Sequence, residues 1–266
     1  RKLTAMSEHY ARGLELDRLA ESAGQLEFER TKEIILRQLP PPPALVADIG
    51  GGPGRYALWL AQLGYQVVHR DLMPLHVQQL RQAARGNPRI QAAVGDARRL
   101  DLASGSADAV LLLGPLYHLD RRTDRLQVLA ETRRVARPGG PVFAAAISRW
   151  ATRMDGILRL RLYETIPGAE AELAAIERTG RLPPLRAGSF CGYTHRPGQL
   201  RAELAASGLQ ILDLVSVEGP AYLLDDLAAR LADDEARRVV LDTARALERV
   251  PELLGIGPHL LATGRK

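Results

Sequence analysis

The spacing of apolar and polar positions changes several times along the chain. Leu14, Leu16, Leu19, Leu26, Phe28, Ile34, Ile35 and Leu39 recur near helical spacing among charges. This predicts helix over 4–39, broken at Gly24 and stopped by the prolines at 40–43. Beyond them, short apolar runs alternate with amphipathic stretches. Strands are predicted at 45–49, 65–69, 90–94, 109–113 and 141–147. Helices are predicted between them at 55–63, 74–84 and 121–136; Pro74 opens the second and Gly86 lies past its end. The rhythm then breaks. Residues 148–194 predict helices near 151–166 and 169–179, then a loop rich in Pro and Gly. A helix at 197–207, a strand at 209–217, helices within 220–250 and a last strand at 259–263 complete the pattern.

Alternating β and α units give a parallel sheet with helices on both faces. The expected architecture is a single α/β domain over 1–266, with a Rossmann-like, seven-stranded, mostly parallel sheet. Residues 1–43 form an N-terminal helical lid and 44–147 the ligand-binding core. Residues 148–194 are a helical cap insertion. Residues 195–266 are the C-terminal part of the sheet, with a helical insertion at 220–250. Open parallel sheets bind ligands at the carboxyl ends of their strands. Both insertions should leave from that end and roof one pocket, which suits a small or medium ligand whose reaction excludes water.

Composition leaves this picture intact: 46% of residues are hydrophobic and 25% charged, as in ordinary soluble domains. The net charge of +5 invites a nucleic-acid reading. Two counts weaken it. Thirty-three of the 36 basic residues are Arg, a bias that, with the abundance of Ala, fits a GC-rich coding sequence. The excess also lies entirely before residue 145, with 20 basic and 15 acidic residues there and 16 of each after. No apolar stretch approaches the ~20 residues of a membrane span, and the N-terminus has no apolar signal core. A cytoplasmic location is therefore expected. The single cysteine, Cys191, excludes an internal disulfide and a cysteine-held iron–sulfur cluster. Cys191 and His195 have no further ligand cluster nearby, so no metal site is expected.

The strongest local signal is Val46-Ala47-Asp48-Ile49-Gly50-Gly51-Gly52-Pro53-Gly54-Arg55, where a strand turns into a helix. Glycines there allow close backbone approach to a ligand and present N–H groups at a helix start. The dinucleotide fingerprint G-x-G-x-x-G needs glycine at 55, which is Arg. Asp48 instead places a carboxylate beside the loop, which repels pyrophosphate and suits a ligand carrying an ammonium and a sulfonium.

These residues resemble the class I S-adenosylmethionine-dependent methyltransferases, through their D/E-x-G-x-G-x-G motif and four further segments in order over about 45–147. Asp71 stands where the family places the acid for the ribose hydroxyls. Gly95-Asp96-Ala97 resembles the segment whose acid accepts the adenine amino group. Asp108 opens the fourth strand, and the segment from Leu113 to Leu119 follows it beside the methionine moiety. Arg134-Val135-Ala136-Arg137-Pro138-Gly139-Gly140 resembles the turn before the fifth strand. The resemblance implies S-adenosylmethionine as cofactor, S-adenosylhomocysteine as product, and cofactor contacts from Asp48, Gly50, Gly51, Gly52, Gly54, Asp71, Leu72, Asp96, Ala97, Leu113, Gly114 and Tyr117. Tyr10 and Arg30 of the lid are added as candidates by position. It further suggests a bacterial enzyme of the small-molecule, secondary-metabolite type. Residues 148–266 carry no motif of this kind.

The sulfonium activates its own methyl group, so the protein has to align the reactants and exclude water. With one cysteine, radical use of the same cofactor is excluded and polar transfer remains. His118, just past the fourth strand, is the candidate general base for an O, N or C nucleophile; the alternative is a packing histidine. Tyr117 is the second catalytic candidate, more in keeping with packing on the cofactor. Tyr193 and His195 are candidates for the acceptor pocket, as is a lid histidine, His9. Arg149, Arg153, Arg159 and Arg161 either hold an acidic substrate or form a solvated face. Asp225, Asp226, Asp233, Asp234 and Glu235 suit helix starts. A small-molecule acceptor is expected; a peptide or protein acceptor, a noncatalytic cofactor-binding module and an NAD-type oxidoreductase are the competing readings. The N-P-P-[YF]-type segment of enzymes that methylate base amino groups is absent, which argues against a nucleic-acid substrate. Oligomeric state is left open.

Overall fold

In the computed structural model, which describes residues 22–184 and 191–266, the apolar runs assemble into one mixed sheet. Helix α1 (Ser22–Leu36) leads into strand β1 (Leu45–Ile49), then α2 (Arg55–Gln62), β2 (Gln66–Asp71), α3 (Pro74–Ala84) and β3 (Ile90–Val94). Strand β4 (Ala109–Leu112) is followed by the short α4 (Pro115–His118), α5 (Arg122–Val135) and β5 (Pro141–Ser148). β1 pairs in parallel with both β2 and β4, β3 flanks β2, and β5 flanks β4. The chain therefore starts mid-sheet and reverses direction of growth between β1 and β4, the point where open α/β sheets bind ligands.

The second half completes the sheet. Helix α9 (Pro197–Ala206) precedes β8 (Gln210–Ser216), and β9 (His259–Arg265) inserts antiparallel between β5 and β8. Strand residues alternate between two apolar layers, as the two-residue period requires. In β4, Val110 and Leu112 face α5 and α9 with Val128, Leu129, Leu200 and Leu204. Ala109 and Leu111 face the other way, toward Ile34, Ile35, Leu60 and Leu80 of α1, α2 and α3.

Three expectations need correction. Gly24 lies inside α1 rather than breaking it. One helix was expected over 151–166; the chain instead forms α6 (Ala151–Arg153), a π-helical turn (Met154–Arg159) and α7 (Leu162–Thr165), with left-handed Arg161 at φ 48° between the last two. Gly156 permits the close return, because a Cβ there would lie 3.0 Å from Leu162 Cδ1. Helix α8 (Ala169–Thr179) then leads to two strands the pattern did not suggest, β6 (Arg181–Leu182) and β7 (Gly192–His195). β7 pairs with Ile147 and Ser148 on the β5 edge opposite β9, just beyond the end of β4. It had read as loop because its residues are polar, yet all four are buried. The polar groups find partners instead: Arg149 donates to Thr194 O at 2.8 Å, and His195 Nε2 lies 3.1 Å from Glu203.

Residues 219–250 are helical, as a 3₁₀ turn (Gly219–Leu223), α10 (Leu227–Ala232) and α11 (Asp234–Leu247). Asp233 caps α11 by accepting from Ala236 N at 2.8 Å. No described helix is long and apolar enough to cross a membrane.

Candidate functional site

At the carboxyl ends of β1 to β4 the loops surround a cavity of about 260 Å³. Its floor is the glycine loop after β1. Gly50 takes φ +65°, and a Cβ there would lie 2.4 Å from Pro115 Cγ. Gly114 is pressed from the other side, with a Cβ position 2.8 Å from Gly50 O. The loops after β1 and β4 therefore meet at backbone contact, which only glycine permits.

Asp48 sits beneath this loop and does not line the cavity. A Cβ on Gly51 would fall 2.2 Å from Asp48 Oδ2, so the loop rests directly on the carboxylate. Fully buried His69, opposite Asp48 in the β1–β2 ladder, lies 3.1 Å from that oxygen. Asp48 Oδ1 is buried with no hydrogen-bond partner among the described residues. Gly54 is also off the cavity: it is left-handed at φ +85° and makes room for Leu80 where α2 crosses α3.

Asp71, the last residue of β2, lines the cavity while nearly buried. Its Oδ2 accepts from Gly52 N at 2.9 Å. Its Oδ1 accepts from Met73 N at 2.8 Å and lies 3.0 Å from His76 Nδ1. Burial pushes this carboxyl up, but hydrogen bonds from His76, Met73 and Gly52 outweigh it and hold it below the usual carboxylate range. The carboxylate thus ties the glycine loop to the start of α3 and remains ionised. Leu72 and Met73 continue this wall.

Asp96 and Ala97 line the cavity after β3. Arg98 clamps Asp96 with its Nε 3.0 and 3.1 Å from the two oxygens and Nη2 at 2.6 Å, which lowers the Asp96 pKa. After β4, Leu113, Gly114, Tyr117 and His118 form the opposite wall. The Tyr117 and His118 rings are 4.8 Å apart at 59°. Cys191 and Gly192, at the start of β7, close the rim. Met73, His76, Arg98 and Gly192 were not anticipated. His76 and Arg98 follow the two acids by five and two residues, a spacing that could have suggested them.

Other candidates fall elsewhere. Arg30 is fully buried but far from cofactor duty: it donates to Val217 O and pairs with Glu33 and Glu248. The reason is the face of α1 it occupies, which packs on the β8 side of the sheet. Tyr10 and His9 lie outside the described residues. Tyr193 and His195 do not reach the cavity. Tyr193 stacks 3.7 Å under the Arg125 guanidinium and lines a separate cavity of about 390 Å³. His195, Glu203 and Arg125 form a buried network in which Arg125 Nη2 reaches Glu203 at 2.7 Å. Burial raises the Glu203 carboxyl, but His195 and Arg125 bring it down to about 2. Arg149 holds the β6–β7 hairpin, while Arg153, Arg159 and Arg161 pair with Glu170 and Glu177, Asp155, and Glu164.

Residues 47–144 match the family model of a methyltransferase domain. Over those residues the chain is similar to a methyltransferase domain, and its fold is that of solved S-adenosylmethionine-dependent methyltransferases. Among curated relatives, a ubiquinone/menaquinone biosynthesis C-methyltransferase of Acidiphilium cryptum is 34% identical over 122 residues, 44% of this chain and 48% of that protein. The chain thus spans about half the length of this relative. Among solved structures, an S-adenosylmethionine-dependent methyltransferase of Methanosarcina mazei superposes with TM-score 0.59 at 18% identity, covering 88% of this chain and 96% of its own. A geranyl diphosphate C-methyltransferase of Streptomyces coelicolor, in complex with Mg2+, geranyl diphosphate and S-adenosylhomocysteine, superposes with TM-score 0.54 at 14% identity, covering 89% and 80%. At such identities these structures speak to the fold alone.

The methyltransferase domain's cavity fits S-adenosylmethionine. The orphaned Asp48 oxygen beneath the loop favours a cationic ligand, and Oδ2 of Asp71 keeps one lone pair for a hydroxyl. The Asp96 carboxylate offers an acceptor at the β3 end.

Proposed function

We propose that this protein transfers a methyl group from S-adenosylmethionine to an O, N or C nucleophile of a small molecule, in the manner of enzymes that tailor natural products. The observation that carries this reading is a single cavity whose wall runs, in sheet order, from Asp96 and Asp71 past the glycine loop to Tyr117 and His118. The bound cofactor supplies an electrophilic methyl carbon on a sulfonium. The protein's own groups do the rest. Asp71 accepts from a ribose hydroxyl, Asp96 from the adenine amino group, and Asp48 stabilises positive charge through the loop. Leu113, Gly114 and Tyr117 pack on the methionine portion. His118, half-buried on the same wall, takes up the proton released by a hydroxyl or ammonium nucleophile. Cys191 and Gly192 narrow the rim at the start of β7 and limit water there.

The small-molecule reading draws on one relative, a C-methyltransferase of ubiquinone/menaquinone biosynthesis. Titration calorimetry with S-adenosylmethionine and S-adenosylhomocysteine, followed by labelled-methyl transfer to small-molecule and peptide panels, tests it. Micromolar binding of both and transfer to a small molecule are expected. Failure of a well-folded sample to bind either ligand refutes the proposal. Binding without transfer to any acceptor turns the reading toward a cofactor-binding module.

A further inference from the structure

A second cluster with ligand chemistry lies away from the cavity, and its reading is independent of the proposed methyl transfer. Glu27 comes from α1, Glu218 from the bend after β8, and His259 opens β9. One ligand atom of each lies within 4.8 Å of the others. His259 Nδ1 is 2.5 Å from Glu218 Oε1 and 3.8 Å from Glu27 Oε2. The Glu218 side chain is 1% exposed, that of Glu27 12% and that of His259 17%, so the cluster is shielded but reachable.

We propose that Glu27, Glu218 and His259 form a binding site for a divalent transition metal ion of the zinc or manganese kind. Two carboxylates and an imidazole are the donor set such ions take. Tetrahedral zinc with bonds near 2.0–2.1 Å separates its ligand atoms by about 3.3 Å. The observed 2.5 and 3.8 Å bracket that separation, so side-chain adjustments of roughly an ångström suffice, without backbone movement.

Two buried hydroxyls in the chain around Glu218 are a second observation that points to a ligand. Ser216 Oγ and Tyr222 Oη have no hydrogen-bond partner among the described residues, though these two residues are only 1% and 2% exposed. Ser216 ends β8, two residues before Glu218. Its Oγ faces Gly257, in the segment leading to His259, where a Cβ would come within 2.7 Å. Tyr222 stands on the 3₁₀ turn that starts immediately after Glu218. Burial pushes its phenol up, and the carboxylates of Asp155 and Glu218 push it further. Buried hydroxyls left unpaired are costly, and waters on an ion with three protein ligands and an open coordination position would satisfy them. The ion would also bind α1 to the β8–β9 edge, joining residues 191 and 41 positions apart. That spacing explains why no sequence motif revealed the site.

The test uses the full chain, dialysed against a chelator, and titrated with zinc chloride by calorimetry and with manganese(II) by electron paramagnetic resonance. One equivalent should bind with a micromolar or lower Kd, and the melting temperature should rise with added metal. Glu218→Gln, Glu27→Gln and His259→Asn should each weaken binding at least 30-fold. If Glu218→Gln fails to fold, the two more exposed variants still decide. Absence of saturable one-equivalent binding overturns the site. So does binding that survives in Glu27→Gln and His259→Asn. Binding of S-adenosylhomocysteine to the metal-free protein, measured in parallel, reports on the other cavity and separates the two proposals.

Discussion

Asp71→Asn probes the heart of the cofactor cavity. The native carboxylate already accepts from Gly52 N, Met73 N and His76, which leaves one lone pair, on Oδ2, for a ligand hydroxyl. The variant removes the charge from that acceptor. It also turns one oxygen into an NH2 group, which must face a backbone N–H: Gly52 in one rotamer, Met73 in the other. One charge-assisted hydrogen bond to the ligand is worth roughly 1.5–3 kcal/mol, or about ten- to 150-fold in Kd. Repulsion at the glycine loop adds to this figure. Calorimetric titration of S-adenosylhomocysteine at pH 7.5 reads the change, with melting curves of both proteins as the control for folding. A Kd within twofold of the native value, in a folded variant, would refute a ribose role for Asp71. The native pKa is lowered, so the charge stabilises the fold above the unfolded value of ~3.9 and that contribution is lost as pH falls through the lower folded value. Asp71→Asn should accordingly flatten the acid limb of the stability curve.

Gly50→Ala places a Cβ against Pro115 at a left-handed backbone position; a loss of roughly 2–5 kcal/mol is expected in urea unfolding, with cofactor binding lost as well. An unchanged unfolding midpoint would show that the loops after β1 and β4 do not meet as described. Glu203→Gln breaks a buried network and should cost about 3 kcal/mol at pH 7. The native contribution is present above the unfolded pKa of ~4.3 and lost as pH falls to about 2, so the gap between the two proteins should close across that interval; a gap independent of pH contradicts the network. His118→Ala should lower kcat by roughly 10²–10⁴-fold while the Kd of S-adenosylhomocysteine shifts little, if His118 takes up the proton. Equal losses in both would assign it to packing.

Much of the core was legible because local physics and tertiary structure agree there. The apolar runs that form β1, β4 and β5 are buried on both sides, so each reads as a short continuous run, and Pro74 and the glycines mark the ends of α2 and α3. The glycine loop and the acids after β2 and β3 were equally visible, because backbone approach to a ligand demands those residue types at those strand ends. The polar hairpin was not legible. Its burial depends on Arg149 and Glu203 arriving from β5 and α9, and no local pattern encodes that arrival.

By itself, the amino-acid sequence determined the order of strands and helices through β5, the turn that faces the ligand and the carboxylates around it. These follow from periodicity, backbone freedom and charge over a few residues at a time. Only the tertiary structure decided which charges are spent on the fold and which remain for chemistry. Arg30 went to Glu248, His195 to Glu203, and Asp48 beneath the loop rather than into the cavity. It also brought Glu27, Glu218 and His259 together from three distant segments. Ion pairing and ligand clustering act across space within a few ångströms, and a linear chain does not record which of its residues will be that close.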